Sequence, residues 1–102
     1  MAIASFDLVI RKLPEFGRAY HGRGRAFMGD ERYRLALDDF DKAIELDPNF
    51  PGTYIDRGKV YREQDDLKAA IGDWNMAIEV AHPIRHANLV SESKELLASV
   101  ER

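Results

Sequence analysis

The sequence predicts an all-α fold, a stacked array of short helix pairs, and three observations predict it. Two stretches superimpose at an offset of 34 residues. The first holds Tyr20, Arg23, Gly24, Phe27, Ala36, Leu37, Asp39, Phe40, Ala43 and Ile44; the second holds Tyr54, Arg57, Gly58, Tyr61, Ala70, Ile71, Asp73, Trp74, Ala77 and Ile78. A fixed period of this length marks a helical repeat array. Within each copy the apolar residues recur at helical spacing, as Ala36, Leu37, Phe40, Ala43 and Ile44 do. The pattern also runs past both copies as half-repeats.

The elements follow in order. Subtracting the period from Ala36, Phe40, Ala43, Ile44 and Pro48 gives Ala2, Phe6, Val9, Ile10 and Pro14, so residues 1–13 read as the second helix of a repeat. Residues 18–29 and 33–46 form the first complete pair. Residues 52–63 and 67–80 form the second. Residues 85–101 read as a first-type helix, with Leu89, Ser93 and Leu96 at the places of Tyr54, Gly58 and Tyr61 after a one-residue slip. The chain is thus one domain, 1–102, divided as 1–16, 17–50, 51–84 and 85–102, with five to six helices. Asp47-Pro48 and His82-Pro83 stop the second helix of each pair, because the residue before proline is pushed out of the helical region. Asp30 and Asp65 are the expected N-caps. Gly24 and Gly58 occupy one repeat position despite a cost of about 1 kcal/mol each against alanine, which predicts a helix crossing there, facing Ala36 and Ala70.

Composition narrows the class. With 45% hydrophobic and 32% charged residues the chain is ordinary for a folded protein. A net charge of −3 argues against nucleic acid as a partner. No cysteine is present, which excludes disulfides and thiol catalysis. Asp7, Arg11 and Lys12 make residues 1–13 too polar for a signal peptide, and no stretch approaches the roughly 18 apolar residues of a membrane span, so a cytoplasmic location is expected. Residues 11–34 carry seven Arg or Lys against Glu15, Asp30 and Glu31, and residues 35–50 reverse the sign. Neighbouring helices that attract each other would explain this, as would a basic face kept for a partner.

Tyr20…Gly24..Phe27…Ala36…Phe40..Ala43…Pro48 resembles the tetratricopeptide repeat, and Tyr54…Gly58..Tyr61…Ala70…Trp74..Ala77 resembles it again. The resemblance implies a right-handed superhelix of antiparallel helix pairs whose first helices line a concave groove for extended peptides or a partner helix. Three departures stand out. Arg23 and Arg57 replace the leucine before the glycine, and both copies carry aspartate sixteen residues on, at Asp39 and Asp73. These pairs are the expected ion-pair ties between the helices of each repeat. The usual glycine of the intra-repeat turn is also absent: Glu31 and Asp65 hold its slot, and Gly29 is the substitute expected to make the first turn.

On the implied groove face stand His21, Arg25 and Met28 of the first copy, Ile55, Lys59 and Arg62 of the second, and Lys94 of the last helix. Arg25, Lys59 and Lys94 share one repeat position. Cations spaced by apolar Met28, Ile55 and Val90 suit an extended peptide bearing carboxylates. A solvated basic face is the plainer reading. Some relatives hold a peptide's terminal carboxylate with lysine and asparagine, but His21, Arg25 and Asp56 stand at those places here.

Nothing at a chemically useful spacing points to an enzyme or a cofactor. His82 and His86 are four apart, yet Pro83 separates them and no third ligand completes a metal site. The expectation is a protein–protein interaction module for another protein or acidic peptide, without nucleic acid, membrane or cofactor. The alternative is a self-assembling element, or a segment of a larger scaffold, in which Ile3, Phe6, Ile10 and Leu13 or Leu89, Leu96, Leu97 and Val100 meet further copies.

Overall fold

Periodicity and proline set the helix boundaries. The structure, a computed structural model, describes residues 2–101, and among them are six α-helices and no strand: α1 (Ala2–Lys12), α2 (Gly17–Gly29), α3 (Tyr33–Leu46), α4 (Pro51–Glu63), α5 (Leu67–Val80) and α6 (Ala87–Val100). Pro51 opens α4 at the one place where a missing N–H costs nothing. None of these helices is long and apolar enough to cross a membrane. The fold is all-α, an array of helix pairs. Contacts divide it into two units, Met1–Pro48 and Asn49–Arg102.

In the first unit, α2 and α3 pack as an antiparallel pair around Ala19, Ala36, Phe40 and Ala43, all buried. A Cβ on Gly24 would lie 2.6 Å from Phe40 Cε1 and 3.2 Å from Asp39 Cβ. The aromatic ring, not Ala36, is what demands the glycine. α1 packs on α2 by placing Phe6 against Gly22, where a Cβ would collide with the ring. Tyr20 donates its hydroxyl hydrogen bond to the carbonyl of Pro14 at 2.9 Å and pins the intervening turn.

The second unit repeats the arrangement with α4 and α5, around Val60, Ala70, Trp74 and Ala77. A Cβ on Gly58 would lie 2.5 Å from Trp74 Nε1. That nitrogen donates to the Ile55 carbonyl at 3.2 Å, which satisfies the buried indole. α6 packs mainly on α5 and touches α4 along a short stretch. Ser93 of α6 is fully buried and donates to the Leu89 carbonyl at 2.8 Å.

The intra-repeat turns correct two expectations. Glu31 and Asp65 adopt φ of 60° and 61°, and no described glycine has positive φ. Gly29 is instead the last residue of α2. In each turn two amides reach back: Glu31 to Met28 at 3.0 Å and Arg32 to Phe27 at 2.9 Å, then Asp65 to Arg62 at 3.0 Å and Asp66 to Tyr61 at 2.9 Å. This is a Schellman closure with an ordinary residue in the left-handed position. The turn therefore takes up Asp30 and Asp65, and the caps fall one or two residues later. Asp66 caps α5 by accepting from the Ala69 amide at 3.2 Å, whereas Arg32, at the same place before α3, makes no side-chain cap.

Candidate functional site

α2 and α4 are each tied to the second helix of their pair by an arginine clasp. Arg23 donates to Asp39 through Nε (2.8 Å) and a terminal nitrogen (2.7 Å), and to Asp7 of α1 at 2.9 Å. Arg57 donates to Asp73 in the same way at 2.9 and 2.7 Å. Asp39 and Asp73 are buried, with side chains 6% and 7% exposed. Each guanidinium also lies between two aromatic rings, Tyr20 and Phe27 for Arg23, Tyr54 and Tyr61 for Arg57, at 5.8–5.9 Å. Hydrogen bonding to Asp39, opposed by burial and reinforced by Asp7, raises the pKa of Arg23. These arginines hold helices together, and this fixes the rotation of α2 and α4 and hence the residues they turn outward.

On α2, Arg25 is exposed and Met28 half-buried, while the His21 ring lies 5.8 Å from that of Phe40 at an interplanar angle of 54°. On α4, Ile55 is only 2% exposed, which removes it from the surface residues expected on the groove face. The whole stretch from Pro51 to Asp56 is buried, and within it the Ile55 carbonyl receives the Trp74 indole. Arg62 lies over the Trp74 ring at 5.6 Å and is half-buried. Lys59 reaches α6 and pairs with Glu92 at 2.8 Å. Lys94 of α6 is exposed.

Sequence reasoning passed over Glu92. Its signal was present: with the one-residue slip, Glu92-Ser93 stands where the two full repeats carry Arg23-Gly24 and Arg57-Gly58. The histidines play another part. His82 Nδ1 accepts from the amides of Ile84 and Arg85 at 3.2 and 3.0 Å, and His86 Nδ1 accepts from the His82 amide at 2.8 Å. Both side chains build the turn between α5 and α6. Among the described residues, no group of three or more His, Cys, Asp or Glu is placed to hold a metal ion.

Solved structures share this fold. The type III secretion chaperone SycD of Yersinia enterocolitica, in complex with a peptide of the translocator YopD, is similar with a TM-score of 0.89 at 16% identity, over 97% of this chain and 76% of its own. The TPR2B domain of yeast Sti1, in complex with pHsp70, has a TM-score of 0.89 at 26% identity, over 99% of this chain and 82% of its own. MamA of Desulfovibrio magneticus RS-1 has a TM-score of 0.72 at 27% identity, over 76% and 44%. No curated protein matches the sequence. The family described as tetratricopeptide repeat matches residues 17–50 and again 40–72. With its period, its helix pairs and these matches, the chain belongs to the tetratricopeptide repeat family.

Proposed function

We propose that the chain is a protein–protein interaction module, without catalytic activity, that takes extended acidic segments of a partner on the outward faces of its first-type helices, α2 in the first unit and α4 and α6 in the second. The observation that carries this reading is the recurrence of a cation at one repeat position, Arg25 on α2, Lys59 on α4 and Lys94 on α6, with the arginine clasps fixing the rotation of α2 and α4. Arg62 adds a fourth cation, steadied by Trp74, and Met28 an apolar contact. Charge-assisted hydrogen bonds to carboxylates are about twice as strong as neutral ones, and clusters of basic side chains are a recurring means of recognising acidic motifs. The complex of the Sti1 TPR2B domain with pHsp70, in a protein 26% identical to this one, supports a peptide as the partner class.

The test is binding of a synthetic extended peptide with alternating glutamate and apolar residues, measured by calorimetry on the intact chain. The wild type should bind it, and the double charge reversal Arg25→Glu/Lys59→Glu should weaken binding by at least about ten-fold at low salt. An unchanged affinity in the reversal would reduce the cations to a solvated face. Sedimentation separates the self-assembling alternative, which requires a mass that rises with concentration.

A further inference from the structure

The cation on α4 is not presented bare. Lys59 Nζ lies 2.8 Å from Glu92 Oε2 of α6, and both side chains keep contact with water, at 32% and 40% exposure. A half-exposed pair of this kind is worth little on its own, because each ion recovers its hydration when the pair opens. The contrast with Asp39 and Asp73 is informative. Those carboxylates are almost fully buried and gripped at two points by aromatic-flanked arginines. Removing their partner strands a buried charge; opening Lys59 from Glu92 strands none.

Glu92 also reverses the sign at its repeat position, where α2 and α4 carry Arg23 and Arg57. It therefore does two things to an approaching carboxylate: it neutralises Lys59, and it repels the newcomer. We infer that Glu92 is an internal competitor for the partner's carboxylates, occupying Lys59 in the unbound chain and setting how strongly the second unit takes an acidic segment. The inference rests on the acidic-partner reading. Its chemistry is exchange of one carboxylate for another on a lysine ammonium, with no covalent step. Glu92 thus sets specificity: a partner carboxylate displaces it, and an uncharged segment leaves the pair closed.

Calorimetric titration of the intact chain with the glutamate-containing peptide, and with its glutamine-substituted counterpart, tests this. E92Q keeps an amide oxygen to accept from Lys59, so the tie between α4 and α6 persists while the competing charge is gone; thermal unfolding checks that all variants are folded. E92Q and E92A should each tighten binding of the glutamate peptide about two- to five-fold at low salt. They should leave the glutamine peptide unaffected, and the gain should shrink when K59Q is added. If K59Q weakens the glutamate peptide but E92Q leaves it unchanged or weaker, Glu92 only ties the helices, and this inference falls while the acidic-partner reading stands. If neither wild type nor E92Q distinguishes the two peptides, both fall together.

Discussion

Arg57 clasps Asp73 with two parallel hydrogen bonds, of 2.9 and 2.7 Å, across sixteen residues of chain, and so locks α4 to α5. Arg23 and Asp39 repeat the clasp at 2.8 and 2.7 Å. The planar fork matches the carboxylate, and a lysine would supply charge without that match. Arg57→Ala should destabilise by about 2–4 kcal/mol in urea unfolding, because it leaves a nearly buried carboxylate without its main partner. Arg57→Lys should recover no more than about half. The raised pKa of Arg23 means that the stability it contributes is complete below its unfolded value and is lost only as pH rises through the higher folded value. No loss through Arg23 is therefore expected across the neutral range.

Two glycines of the second unit predict opposite signs. Gly58 meets the Trp74 indole, whereas Gly72, exposed within α5, has nothing within 4 Å of a built Cβ. Gly58→Ala should cost about 1–3 kcal/mol through overpacking, despite the better helix propensity of alanine. Gly72→Ala should gain up to about 1 kcal/mol. Thermal unfolding of the two variants, side by side, reads the difference.

The two intra-repeat turns are unequal, and the weaker one can be repaired. α5 has Asp66 as its cap, while Arg32 before α3 makes none and places positive charge at a helix N-terminus. Arg32→Asp should stabilise by about 0.5–2 kcal/mol. Glu31→Gly should add up to about 1 kcal/mol by relieving the positive φ, and Asp65→Gly less, because aspartate tolerates that region better. Denaturant midpoints at fixed slope measure each gain.

Ile55 distinguishes a core residue from a contact residue. Ile55→Ala should cost about 2–5 kcal/mol of stability. Binding of the acidic peptide by the folded fraction should be unchanged. A binding defect in fully folded protein would return Ile55 to the interaction face.

The helices were legible because their signals are local. Period, apolar stripe and proline place α1 to α6 within a residue or two, and the sixteen-residue Arg–Asp spacing names the clasps before any coordinate. The caps were misplaced because two residues beside the turn look alike in sequence. Only backbone geometry shows that Glu31 and Asp65 take the left-handed position and leave capping to Asp66.

The candidate site was legible as a charge pattern and no further. Sequence alone determined the repeat, the helix pairing and the recurring cation of Arg25, Lys59 and Lys94, since each is a matter of spacing along one chain. Tertiary structure decided which of the expected residues reach the surface. Ile55 lies in the core with the whole stretch from Pro51 to Asp56, and Lys59 is met by Glu92, thirty-three residues away on another helix. Burial and charge pairing depend on what packs across from a residue, and neighbours in space are what a linear pattern does not contain.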